Sequence, residues 1–212
     1  MQRVSNFVRK WFAARCIATQ CQPKICLQKY FTSENFSEGL AVVGIINELG
    51  EPKKGYIDKT GNEVIKPKYI FANNFSEGLA AVSIGTYSDY KSGFIDKTGK
   101  VIIPIEYNNV QNFSEGLAVV RLKAEGNSGY INKTGKVVIE LKYRNALNFS
   151  EGFAAVSTGN SIDGFKYGFI NKDDKVVIPF LYKDANSFKN GKALITYITS
   201  LIYINKEGLP IK

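Results

Sequence analysis

Histidine is absent from the 212 residues, and methionine and tryptophan occur once each. Without an imidazole, no Ser-His-Asp triad, histidine general base or histidine metal site can be built. Cysteine is confined to Cys16, Cys21 and Cys26. Their five-residue spacing matches no Cys-x-x-Cys pair, no fourth ligand completes a zinc site, and an odd count closes no disulfide framework. No apolar run approaches the roughly 18–20 residues that span a bilayer, so no transmembrane helix is expected. The first acidic residue is Glu34. Ahead of it lie Arg3, Arg9, Lys10, Arg15, Lys24 and Lys29, which supply +6 of the formal net charge of +9. The rest of the chain holds 22 basic and 19 acidic groups. A body so near neutrality is not a polyanion binder, and nucleic acid is not an expected partner.

What is present is apolar and aromatic. Hydrophobic residues make up 44% and aromatics 13%, enough for a core and too much for a wholly disordered chain. The aromatics recur. Asn-Phe-Ser-Glu-Gly stands at 35–39, 74–78, 112–116 and 148–152, and a worn copy, Ser-Phe-Lys-Asn-Gly, at 187–191. The Phe positions 36, 75, 113, 149 and 188 set a period of 36–39 residues, the mark of a repeat architecture. After each copy come an apolar run, a stretch of variable length, and Gly-aromatic-Ile at 55–57, 93–95, 129–131 and 168–170. A polar turn follows, Asp-Lys-Thr-Gly in its fullest form, then a second apolar run ending in Tyr69, Tyr107, Tyr143 or Tyr182.

Runs of four to seven Val, Ile, Tyr and Phe residues bounded by Gly, Asn, Asp and Ser read as strands. Asp-Lys-Thr-Gly and Ser-Glu-Gly read as tight turns, in which Asp or Asn bonds back to the backbone and Gly takes positive φ. Pro67, Pro104 and Pro179 fall in the third strand, where an edge or bulge tolerates a missing N–H. The fold expected is all-β: about five units of three antiparallel strands, with a possible short fourth strand between Tyr and Phe. Gly to Tyr is 14 residues in every complete unit and Tyr to Phe is six, so all length variation lies in one hairpin tip per unit.

Three motifs in fixed order, Phe-Ser-Glu-Gly-Leu-Ala, Gly-Tyr-Ile-Asp-Lys-Thr-Gly and Val-Ile-Ile-Pro with its closing Tyr, resemble the WG repeat of bacterial proteins. The resemblance covers 30–212. It departs in one respect: the Trp expected before Gly is replaced by Lys54, Ser92, Ser128, Tyr167 and Leu201. The family implies a β-rich interaction module without shared catalytic residues. Two domains are expected: a basic amphipathic segment over 1–29 and the repeat domain over 30–212. The fifth unit starts its third strand only at 208–212, while 24–30 looks like a worn third strand whose Tyr30 lies six residues before Phe36. An N-terminal strand completing the last unit would close a propeller-like ring. A linear array with a capping strand at each end is the alternative.

The repeated Asp58, Asp96, Asn132, Asn171 and Asn205 are expected to be turn acceptors rather than calcium ligands, because neutral Asn replaces Asp in several copies, each is followed by Lys or Asp, and no Asp-rich loop surrounds them. Glu38, Glu77, Glu115 and Glu151 read as solvated turn residues rather than a catalytic pair, since equivalent turns give equivalent environments. The repeating Phe and Tyr read as core. Tyr87, Tyr90 and Phe165 lie in variable tips and have no place in that core. With Lys91, Arg121, Lys123 and Lys166 they are the candidate partner-binding residues, on tips 44–54, 84–92, 121–128 and 157–167. The function expected is a non-catalytic scaffold for a protein partner, with a cell-envelope glycan as the alternative ligand. No cofactor or metal is expected. Val4, Phe7, Val8, Trp11 and Phe12 share one helical face among basic residues, so a short N-terminal helix able to touch an anionic membrane is expected. No clean signal peptide is present, which favours the cytoplasm over export.

Overall fold

The computed structural model describes residues 29–123, 126–160 and 164–211. The expected N-terminal helix, the three cysteines and positions 24–28 of the proposed closing strand lie outside them. The described chain is all-β: five four-stranded antiparallel sheets whose strands follow one another in sequence order. The first sheet is β1 (Thr32–Ser33), β2 (Leu40–Ile46), β3 (Pro52–Asp58) and β4 (Glu63–Tyr69). The second is β5 (Phe71–Ala72), β6 (Ala80–Gly85), β7 (Tyr90–Ile95) and β8 (Val101–Tyr107). The third is β9 (Asn109–Val110), β10 (Leu117–Arg121), β11 (Ser128–Asn132) and β12 (Val137–Tyr143). The fourth is β13 (Asn145–Ala146), β14 (Ala154–Asn160), β15 (Gly164–Ile170) and β16 (Val176–Tyr182). The fifth is β17 (Asp184–Ala185), β18 (Ala193–Tyr197), β19 (Ser200–Ile204) and β20 (Pro210–Ile211). This is the order of a propeller blade, and the short strand between Tyr and Phe is present in every unit. No helix occurs among the described residues, and none there is long and apolar enough to cross a membrane.

The second strand of the first four sheets is buried on both faces, as in Leu40–Val43 and Leu117–Val120, whereas β18 is buried on one face only. A lone hairpin cannot cover two such faces, so each sheet needs its neighbours. The chain forms two compact units, one up to Tyr90 with Ile95–Val101, the other Lys91–Phe94 with Ile102 onward. In the first, Tyr56 of β3 packs on Phe75 of the next repeat with ring centroids 4.9 Å apart, and its hydroxyl donates to the Asn73 carbonyl at 2.7 Å. In the second, the same step recurs as Phe94 on Phe113, Tyr130 on Phe149 and Phe169 on Phe188, at 4.8–4.9 Å. The aromatic after Gly and the Phe before Ser are thus two halves of one contact between successive repeats. Tyr30 belongs with the first sheet: it packs against Ala41, Val43 and Ile57, and its hydroxyl donates to Glu63 Oε1 at 3.1 Å. At the other end, the started third strand of the fifth unit is β20, paired with Tyr203 and Ile204.

Candidate functional site

The frame that carries the tips is held by its turns. In Ser-Glu-Gly both central residues have positive φ, 51° at Glu38 with 92° at Gly39, and 55° at Glu151 with 88° at Gly152. That is a two-residue type I′ hairpin, closed by Ser37 N–H to the Leu40 carbonyl and the reverse bond. Glutamate costs about 1 kcal/mol or more in the left-handed region. Its carboxylate explains its presence. Glu38 accepts from the Gly78 amide at 3.1 Å, Glu115 from Gly152 at 3.1 Å, and Glu151 from Gly191 at 2.9 Å. Each is also paired with a lysine of the following repeat: Lys97, Lys172 and Lys206 at 3.0–3.2 Å. The serine beside it donates across the same step, from Ser37, Ser114 and Ser150 to the carbonyls of Phe75, Phe149 and Phe188, each at 2.7 Å. These glutamates are turn residues, as the sequence suggests, with Glu38 still exposed, and they are also staples between successive turns. Contacts 35–59 residues away leave no trace within one copy of the motif. The Gly191 amide and Lys206 hold the Glu151 carboxyl below its ordinary range. Burial pushes the Glu38 carboxyl up, but Lys97 and the Gly78 amide outweigh it and leave the group lowered.

The Asp/Asn positions act as turn acceptors. Asp58 Oδ1 accepts from Thr60 N, Thr60 Oγ1 and Asn62 N at 2.7–2.9 Å. Asn132 Oδ1 accepts from Thr134 N, Thr134 Oγ1 and Lys136 N at 2.7–3.0 Å. One acceptor oxygen suffices, which is why Asp and Asn exchange freely. No group of three or more His, Cys, Asp or Glu suited to a metal ion occurs among the described residues.

Four of the candidate binding residues fall into two clusters, Tyr87 with Tyr90 and Arg121 with Phe165. At the tip of the second sheet, Tyr87 and Tyr90 both pack edge-on against Phe71, with centroids 5.5 and 5.1 Å away. Tyr87 is 58% exposed. Phe71 was not singled out in the sequence. Its signal was its place in the short strand, where the other units carry Thr32, Asn109, Asn145 and Asp184. In the second compact unit, Arg121 donates from Nε and Nη2 to Ser128 Oγ at 3.2 and 3.1 Å, and from Nη2 to the Arg144 carbonyl at 2.9 Å. The Arg144 guanidinium stands over the Phe165 ring, 5.8 Å from its centroid. Lys123 and Lys166 are exposed beside this cluster in sequence. Lys91 is not with them: its ammonium donates to Asn108 Oδ1 at 2.8 Å. The first tip carries Ile46 and Leu49 outward on a turn whose Asn47 Oδ1 accepts from the Leu49 and Glu51 amides.

Five repeated four-stranded sheets with stapled turns and chemically distinct tips define a β-repeat protein. The family model for the WG-containing repeat matches residues 55–85, 93–124, 129–160 and 167–196, more than half of the chain. The chain belongs to that family. No curated protein matches it. Among solved structures it is similar to a eukaryotic initiation factor, at 11% identity and a TM-score of 0.56, over 85% of this chain and 54% of that one. The chain thus spans about half the length of that structure. A TolB-like protein of Agrobacterium tumefaciens follows at 10% identity and a TM-score of 0.47, over 84% of this chain and 78% of that one. TolB from Acinetobacter baumannii is at 11% and 0.43, over 82% and 52%. Likeness at these identities concerns the fold alone.

Proposed function

We propose that this WG-repeat chain is a non-catalytic scaffold that binds a protein partner through its hairpin tips. The Phe71–Tyr87–Tyr90 cluster carries the reading. It puts three aromatic rings together at the end of a sheet whose turns are stapled to the preceding repeat, with one ring largely in solvent. Aromatic residues on a rigid support supply large contact area at low entropic cost. The repeated carboxylates support a structural role, because each described staple is engaged by a backbone amide and a lysine. The basic amphipathic pattern of residues 3–15 supports contact with an anionic membrane. The test is capture of partners from host lysate by the native chain and by a Tyr87→Ser/Tyr90→Ser variant. The variant should melt as the native protein does and lose a partner the native chain holds. Retention of every partner overturns the tip assignment. Saturable binding to envelope polysaccharide, with no protein captured, transfers the tips to glycan recognition.

A further inference from the structure

At each internal step an apolar leading face of one sheet meets the Phe-bearing trailing face of the next. From the third sheet to the fourth, Val119, Tyr130 and Tyr143 pack with Phe149, Val156 and Ile170. From the fourth to the fifth, Phe169 and Tyr182 pack with Phe188, Ala193, Ile195 and Ile204. The rings that meet are sealed. Tyr56, Phe94, Tyr130 and Phe169 are 0% exposed, and Phe75, Phe113, Phe149 and Phe188 at most 2%. The fifth sheet repeats the leading face in the same register, Leu194 pairing with Tyr203 as Val119 pairs with Tyr130. There Tyr203 is 46% exposed, with the Lys192 ammonium over its ring. Leu201, two residues along the same face, is 68% exposed, and Ile211, opposite Tyr203, is exposed too.

The first sheet presents the matching trailing face. Phe36, Ala41, Val43 and Ile57 form one cluster there and hold the places of Phe188, Ala193, Ile195 and Ile204. Phe36 stays half-buried where its four counterparts are covered. This sheet also brings a part that the fifth lacks. Each internal leading face ends in a closing Tyr, whereas β20 spans Pro210–Ile211 and carries none. Tyr30, six residues before Phe36, already lies on the first sheet's cluster. Its hydroxyl donates to Glu63 as that of Tyr143 donates to Asp174 of the following repeat. The two end faces are thus the two halves of one step.

We propose that the fifth sheet of one chain docks on the first sheet of a second copy, Tyr203 against Phe36, as at an internal step. The proposal goes beyond the hairpin-tip reading and uses none of its residues. A contiguous apolar face left in water marks an interaction surface. The occupant is a second copy because the chain itself carries the surface that this face packs on at every internal step. Contact between unlike faces is head-to-tail, so each docked copy still offers one face of each kind to the pair. Lys189 and Asn190 replace the Ser and Glu that staple the internal steps. Docking therefore rests on apolar packing, is reversible, and depends little on salt.

Sedimentation velocity of the full chain over about 1–500 µM, a span that reaches weak associations, should show mass growing with concentration. The growth should be alike in about 50 and 500 mM salt, which separates apolar docking from pairing through exposed charges. Leu201→Lys puts a charge on the fifth-sheet face at an exposed position. It should melt as the native chain does and raise the concentration of half-association about tenfold or more, the scale of a lost interface anchor. Its first-sheet face is intact, so the fluorescein-labelled variant should still sediment faster when unlabelled native chain is added. Pairing of two fifth sheets predicts instead that the labelled variant ignores the native chain. That result overturns the proposal, as does a variant that associates like the native chain. A native chain that is monomeric at every concentration assigns the face to a different occupant and overturns it too. Should Leu201→Lys fail to fold, Tyr203→Gln takes its place, with the same outcomes deciding.

Discussion

The glycine of each Gly-aromatic-Ile motif has no room for a side chain. A Cβ on Gly129 would stand 2.5 Å from the Ile139 carbonyl oxygen, and one on Gly168 would stand 2.6 Å from that of Ile178. The cause is a bulge: between Ser128–Tyr143 and Tyr130–Ile139, one residue of β11 faces three of β12, pressing the β12 backbone onto Gly129. Gly152 is constrained differently. Its φ is +88° and nothing lies within 4 Å of a built Cβ. Gly129→Ala should therefore cost about 2–3 kcal/mol, the upper range for overpacking, and Gly152→Ala about 1 kcal/mol for the left-handed backbone. At about 2–4 °C per kcal/mol for a chain of this size, thermal melts should rank Gly129→Ala clearly below Gly152→Ala. Equal losses would mean that backbone conformation, not contact, conserves the motif glycine within this chain. The fifth unit has Ile202 in the same slot, and among the described residues β20 pairs with Tyr203 and Ile204.

At the level of the element, the Ser-Glu-Gly hairpin has two tasks. Its backbone turns the chain, and its side chains tie that turn to the next. Ser150→Ala would leave the Phe188 carbonyl without its 2.7 Å donor. The loss should be about 1–2 kcal/mol, as for a part-buried acceptor left unmet. Glu151→Gln retains an oxygen for the Gly191 amide and loses only the Lys206 pair, an exposed interaction expected to contribute under about 1 kcal/mol. Urea denaturation should show the serine change as the larger. The reverse ranking would make the ion pair, rather than the hydrogen bond, the staple. The turn itself was readable from Glu-Gly between apolar runs. The partners of its side chains were not, because they lie one whole repeat away.

Over the whole molecule the staples tie stability to pH. Glu38 and Glu151 ionise below their ordinary value of 4.5 in the folded chain, and Asp58 and Asp96 are lowered by the hydroxyls of Thr60 and Thr98. As pH falls, the unfolded chain takes up protons before the folded one does. The stabilisation is therefore complete above pH 4.5 and drains away as pH drops through the lowered folded values. The urea midpoint should be flat from about pH 6 to 8 and decline below about 4.5. Replacing Glu38 and Glu151 with Gln should shallow that decline. An unchanged slope would assign acid sensitivity to other carboxylates.

Local physics made the repeat, the strands and both turn types evident from the residues alone. Alternation of period two, positive-φ Gly and side-chain-to-backbone bonds span only a few positions. The WG assignment rested on those same short motifs recurring in order, and it held although the Trp is absent before each Gly. Only the folded structure paired Tyr56 with Phe75 and Tyr130 with Phe149, placed Phe71 between Tyr87 and Tyr90, and set Arg144 beside Arg121 and over Phe165. Only the folded structure, too, showed Glu38, Glu115 and Glu151 to be staples as well as turn residues. Each of these contacts joins residues 16–40 positions apart. Their partners are chosen by how sheets stack and where strands end, which no single repeat encodes.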